Sequence, residues 1–221
     1  VASDASGSVR VYVSESGNDR IQVFDSAGDF VSKWGTEGYG DGDFINPNGV
    51  AVASDGSVHV ADSNNHRIQV FDSQGDFVSK FGSRGTGQGE FNTPHGVAVA
   101  SDASGSVSVY VSDTNNHRIQ VFTRASSEES EVEDPDISPE QPVFVSEWGS
   151  RGSGEGQFNN PRGVAVTSGG FVYVADTNNH RIQKFDAVGA FRGQWGTFGT
   201  GESQFSQLHG VAVAPDGSAV Y

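Results

Sequence analysis

The chain has no cysteine, no methionine, few basic residues and no long apolar run. Without cysteine, disulfides and thiolate metal sites are excluded, and the redox compartment stays open. No run approaches 18 apolar residues, so no helix is expected to span a membrane. No charged segment leads into an apolar one at the start, so no secretory leader is visible. Methionine is missing even from position 1, which points to a processed chain or a piece of a longer one. Only 13 Lys and Arg stand against 28 Asp and Glu, a formal net charge of −15. Binding phosphate backbones needs clustered bases, so nucleic acid is not expected as a partner. No Asn-x-Ser/Thr sequon occurs either, since Asn92-Thr93-Pro94 fails the pattern.

What is present is repetition. Gly49 to His95 spans 47 residues and returns as Gly163 to His209, again 47, while Gly96 to Arg162 is a third copy with 20 extra residues. A period of this size marks stacked or radially arrayed supersecondary units. The expected units are 1–48, 49–95, 96–162, 163–209 and a partial 210–221, in one domain over 1–221. A single domain of this length would bury roughly 70 % of its unfolded surface.

Each unit holds four short runs rich in Val, Ile and Phe, such as Gly49–Ala53, Val58–Asp62, Arg67–Asp72 and Asp76–Phe81. They are too short for helices, and Gly- and Asn-bearing turns separate them, so they read as antiparallel strands. Alternate residues within a strand are apolar on both faces. Such a sheet must be covered on both sides, which radial packing around an axis achieves. The fold class is therefore all-β, with the inner strands Gly49–Ala53, Gly96–Ala100, Gly163–Thr167 and Gly210–Ala214 around one axis.

The segments ADSNNHRIQVF, VSDTNNHRIQVF and ADTNNHRIQKF, each followed by a Gly-rich loop ending near Pro-x-Gly, resemble NHL repeats. That resemblance implies a β-propeller of four-stranded blades, most often six. Val1 falls inside the first strand of a repeat, and Tyr221 inside the second strand of another. The expectation is an incomplete view of a six-bladed ring, with a five-bladed ring as the alternative.

Three constellations recur. Asp62–Arg67, Asp113–Arg118 and Asp176–Arg181, with Glu15–Arg20 as a variant, place acid opposite base across a tight hairpin. The intervening Asn pairs, such as Asn64 and Asn65, are expected to carry any left-handed backbone. His66, His117 and His180 repeat identically, as structural devices do. Phe44, Phe91, Phe158 and Phe205 are expected as plugs between neighbouring sheets, with Trp34, Phe81, Trp148 and Trp195 beside them. The Gly-rich loops lack the Gly-Lys-Ser/Thr of a P-loop and read as crossings between blades.

Two stretches do not repeat. Residues 124–141, with seven acids and one base, form an acidic Ser- and Pro-containing insertion. It is expected as a solvated loop, or as an acidic docking segment for a cationic partner. The residue before the Gly of each inner strand varies as Asn48, His95, Arg162 and His209. Around an axis these four would ring the channel mouth, and they are the candidate ligand-binding residues.

The leading functional expectation is a non-catalytic interaction or structural propeller in a larger extracellular or surface protein, with a protein partner or self-association, including a fibre form. The alternative rests on the resemblance to the NHL-fold peptide-amidating lyases, whose channel holds a zinc bound by histidines. There His95 and His209 would be metal ligands with a third outside this chain, and Arg162 between them would repel a cation. Carboxylates could also collect calcium, although Gly40–Asp43 is too short for an EF-hand loop. No catalytic residue and no resident cofactor follow from the sequence itself.

Overall fold

The computed structural model describes residues 2–3, 9–102, 105–124, 142–214 and 217–221. Among them the chain is all-β, with helix limited to three single 3-10 turns at Ser63–Asn65, Thr114–Asn116 and Thr177–Asn179. Sixteen strands make four antiparallel sheets, each a meander of four. Blade 1 comprises β1 (Ala2–Ser3), β2 (Val9–Glu15), β3 (Arg20–Asp25) and β4 (Phe30–Trp34). Blade 2 comprises β5 (Pro47–Val52), β6 (Val58–Asp62), β7 (Arg67–Phe71) and β8 (Phe77–Phe81). Blade 3 has β9 (Pro94–Ser101), β10 (Val107–Asp113), β11 (Arg118–Arg124) and β12 (Val143–Trp148). Blade 4 has β13 (Pro161–Val166), β14 (Val172–Asp176), β15 (Arg181–Phe185) and β16 (Phe191–Trp195).

A bulge interrupts every pairing of third and fourth strands, for example between Val70 and Phe71. An extra residue there bends the outer strand and increases its twist. The blades then fan rather than stack flat. The inner strands crowd one another: a Cβ on Gly49 would lie 2.6 Å from the carbonyl oxygen of His95 and 2.7 Å from Val97 N. Only glycine permits that approach, which explains why this residue recurs.

Each inter-blade layer is apolar and repeats the last. Ile21 and Phe44 meet Val58, Val60 and Phe71; one blade on, Ile68 and Phe91 meet Val109, Val111 and Phe122. Ile119 and Phe158 do the same against Val172, Val174 and Phe185. Phe44, Phe91 and Phe158 have no exposed surface, whereas Phe205 is only half-buried in the layer beyond blade 4. Each plug lies on the glycine that ends the fourth strand; a Cβ on Gly82, held at φ +97°, would meet Phe91 Cδ2 at 2.5 Å. Full burial of one such ring is worth about 1.5–3 kcal/mol.

The last segment turns back on itself. Val213 bridges Val220, and Ala212 exchanges both backbone hydrogen bonds with Tyr221. The inner partner of β2 is β1, with Ser3 opposite Val9, so residues 210–214 do not complete blade 1. At the other end one face of blade 1 lacks a cover: Val13 is 39 % exposed, while its counterpart Val111 is fully buried. Residues 125–141, most of the acidic insertion, lie outside the described residues.

The hairpin between second and third strands differs from expectation in one respect. The two Asn residues sit in the 3-10 turn, and the left-handed residue is the histidine, at φ 56° for His66, 57° for His117 and 55° for His180. In two of the three the ring reaches across the blade junction, while His180 Nδ1 is buried without a partner. His66 Nδ1 accepts the backbone N–H of Thr93 at 3.0 Å, and His117 Nδ1 that of Asn160 at 3.1 Å. Asp19, also left-handed at φ 49°, accepts the N–H of Asn46 at 2.7 Å with its carboxylate. An αL residue there aims its side chain at the next inner strand.

Candidate functional site

The repeated polar residues are consumed by the scaffold. Asp62 has no exposed surface, and its Oδ2 accepts Arg67 Nε at 2.8 Å, Asn65 Nδ2 at 2.9 Å and Gln69 Nε2 at 3.1 Å. Its Oδ1 accepts the backbone N–H of Ile45 at 2.8 Å. Arg67 Nη2 donates to the carbonyls of Gly40 and Asp43, so acid, base and Gln together clamp the Gly-rich crossing loop onto blade 2. Asp113–Arg118 and Asp176–Arg181 repeat the contact at 2.8 Å with the same surroundings. A buried charge is tolerated when paired and hydrogen-bonded on every side, and these are.

The non-repeating residues meet elsewhere. Asn48, His95, Arg162 and His209, with Gly49, Gly96 and Gly163, line one cavity of about 220 Å³ where the inner strands begin. Hydroxyls shape its wall: Ser112 Oγ donates to the carbonyl of Arg162 and accepts Gly96 N–H at 2.7 Å, and Ser14 Oγ donates to the carbonyl of Asn48. Asn48 Nδ2 donates to Ser63 Oγ at 2.7 Å and to the carbonyl of Asn46 at 3.0 Å, so this member is also part of the scaffold. Arg162 Nη1 lies 2.9 Å from His209 Nδ1 and 3.4 Å from Nε2. Arg162 Nε is buried without a partner, and no carboxylate pairs with this guanidinium among the described residues. His95 is half-buried; its burial first, and then the neighbouring Arg162 and His209, push its imidazole down to about 4. At neutral pH it is an uncharged ring that can donate or accept.

Sequence reasoning missed the wall. The glycines after each ring residue do more than start a strand: their missing side chains leave the space. Ser14 and Ser112, in blades 1 and 3, stand where blades 2 and 4 have Ala61 and Ala175, and both hydroxyls donate to a carbonyl of a mouth residue. Among the described residues no group of three metal-ligating side chains occurs. Asp41, in the Gly40–Asp43 loop, is held by Lys80, and Asp43 Oδ1 accepts Thr36 Oγ1 at 2.7 Å.

A family model described as NHL repeat matches residues 44–71, 108–122 and 158–185; all three contain the acid–base pair and the αL histidine, and the first and last also a Phe plug. The chain carries NHL repeats. Relatives include Protein brain tumor of Drosophila melanogaster, 46 % identical over 56 residues, or 25 % of this chain and 5 % of that protein. The human E3 ubiquitin-protein ligase TRIM32 is 37 % identical over 86 residues, or 39 % of this NHL-repeat chain and 13 % of the ligase. The bovine NHL repeat-containing protein 2 is 33 % identical over 76 residues, covering 34 % and 9 %. The chain thus spans a small part of each relative. Among solved structures, virginiamycin B lyase from Staphylococcus aureus aligns with TM-score 0.59 and 12 % identity, over 96 % of this chain and 59 % of the lyase. The gluconolactonase XC5397 from Xanthomonas campestris aligns with TM-score 0.60 and 17 % identity, over 96 % and 63 %. At such identities these neighbours speak for the β-propeller fold alone.

Proposed function

We propose that the chain is a non-catalytic protein-interaction module, a sector of a six-bladed NHL propeller whose mouth is the contact surface. The observation that carries this is the division of labour among polar residues. Those that repeat are locked in the inter-blade clamp, while Asn48, His95, Arg162 and His209 differ from blade to blade and share one cavity. Scaffold positions repeat; a surface shaped for a partner diverges. The relatives named as E3 ubiquitin-protein ligases act on proteins, which supports a protein as the partner. A larger extracellular or surface protein, with self-association along a fibre as one form, is the proposed setting for this acidic repeat array. The uncovered Val13 and the share of the solved propellers that the chain spans support further blades beyond these four.

The metal-dependent lyase is the weaker reading. Arg162 stands 2.9 Å from the imidazole that would have to ligate the ion, and would repel it. Two measurements test the proposal. Calorimetric titration with zinc is expected to show no binding tighter than about 10⁻⁴ M, far weaker than a three-histidine site gives. Stoichiometric micromolar binding lost in both His95→Ala and His209→Ala would overturn it. Sedimentation over rising concentration then separates self-association from a different protein partner.

A further inference from the structure

From the cavity at the mouth we propose a specific ligand chemistry: it takes a single carboxylate, held by the Arg162 guanidinium with His95 beside it. This rests on the reading of the mouth as a contact surface and says which chemical group the surface grips.

The argument begins with sign. The chain carries −15 overall, yet no acid among the described residues lines this cavity, and the cavity does hold a guanidinium. Within a Debye length of about 8 Å the local charge, not the distant acidic surface, sets which ligand enters. Next comes valence. The guanidinium is the one permanent charge in the lining and His95 is neutral at pH 7, which suits a monoanion better than a phosphate dianion inside a strongly acidic molecule.

Geometry then selects the group. Arg162 Nη1 is directed to His209, which leaves the Nε and Nη2 side of the fork without a protein partner among the described residues. That edge matches the two oxygens of a carboxylate in a bidentate pair. Nε is buried and unpaired, a situation that carries a desolvation penalty of its own. A small rotation of the guanidinium toward the cavity exposes this N–H to a bound oxygen and removes the penalty. Binding therefore relieves an existing cost as well as adding contacts. Of the other arginines, Arg67, Arg118 and Arg181 are committed to their clamps, Arg20 to Glu15, Arg124 to Asp55 and Arg192 to Asp186, and Arg162 alone lines this cavity. The volume of about 220 Å³ admits a carboxylate on a short stem, not a nucleotide or a folded segment.

Such a carboxylate has two sources, a free small acid or the C-terminus of a peptide. The test is a chemical-shift titration of the ¹⁵N-labelled chain at constant ionic strength and pH 7. The probes are acetate, N-acetyl-diglycine, its C-terminal amide and inorganic phosphate. The expected result is saturable shifts at the Gly49, Gly96 and Gly163 amides with the two carboxylates, at least tenfold weaker response to the amide, and no saturation with phosphate. N-acetyl-diglycine binding tenfold tighter than acetate identifies a peptide terminus; equal affinity identifies a small acid. Arg162→Gln, which breaks no ion pair, should abolish the response at an unchanged melting temperature. Equal binding of acid and amide, preference for phosphate, or unaltered binding by Arg162→Gln overturns the proposal. If the carboxylates fail while mouth substitutions still alter protein association, only this inference falls. Micromolar zinc binding would instead remove the interaction reading beneath it.

Discussion

Asp113 accepts the backbone N–H of Asn92 at 2.7 Å, across the junction between two blades. The same carboxylate holds Arg118, Asn116 and Gln120 within its own blade. One fully buried acid thus joins a hairpin, a third strand and the incoming crossing loop. Removing it strands a buried guanidinium and several donors, and breaking such a pair from one side costs about 3–5 kcal/mol. Asp113→Ala should therefore lower the denaturation free energy by that order, read from urea midpoints. Glu15→Ala should cost far less, because Glu15 and Arg20 are partly exposed and, among the described residues, Glu15 holds no backbone N–H of a crossing loop. Equal losses in the two variants would contradict this division of roles.

How much of this was legible in the sequence differs from element to element. The strands Val58–Asp62 and Phe30–Trp34 read off directly, because short alternating runs between Gly and Asn turns have few other solutions. The acid–base spacing of Asp62 and Arg67 was legible for the same reason. That the pair also grips Gly40 and Asp43 was not, since a contact across 24 to 27 residues leaves no local pattern. The αL residue was assigned to the Asn pair on intrinsic preference. The turn itself overrode it: the residue after each 3-10 turn is left-handed, His180 with Nδ1 unpartnered as much as His66, whose ring also accepts the Thr93 N–H. The four mouth residues were picked out by their variation, whereas the space between them depends on how closely Gly49 and Gly96 let the inner strands approach.

That close approach yields a paired prediction. Gly49→Ala would drive a methyl against two backbone atoms, His95 O at 2.6 Å and Val97 N at 2.7 Å, neither of which can rotate away. Overpacking of this kind costs about 1–3 kcal/mol and should also close part of the cavity. Gly210→Ala meets nothing within 4 Å and should be near neutral. Thermal melts of the two variants decide it; a silent Gly49→Ala would mean that the inner strands stand further apart.

The αL acceptor predicts an unusual tolerance. His66→Asp should keep most of the stability, because Asp19 already performs this task from the same backbone conformation in blade 1. His66→Leu leaves the Thr93 N–H without its acceptor and places a poorly suited residue at positive φ, a loss of about 1–3 kcal/mol. Urea denaturation of the pair should rank Asp well above Leu, and the reverse order would reject the junction role of this ring.

Acid should weaken the chain in two separable steps. Burial first, then the charge of Arg124, push the fully buried His59 down to about 4, and His95 falls to about 4 by burial and Arg162. His66 and His117 are lowered too, by burial first. Between the unfolded value near 6.5 and the folded value, the unfolded chain binds more protons, so stability falls as pH drops through that window. For His59 the full shift corresponds to about 3 kcal/mol, and for half-exposed His95 to less once solvent screening is counted. Glu15, Asp55 and Asp186 are also lowered, held below the usual carboxylate range chiefly by hydrogen bonds, so their window lies further down the pH scale. Their stabilisation is complete above about pH 4 and is lost only as pH falls below it, so the loss between 6.5 and 4 belongs to the histidines. His59 occupies the place of Tyr110 and Tyr173 in the other blades, which makes His59→Tyr the natural control. Urea midpoints measured from pH 8 to 4 should be level above 7, decline below 6.5, and decline less steeply in His59→Tyr. A flat profile between 7 and 5 in the unmutated chain would show that these rings are not sealed from water as their packing requires.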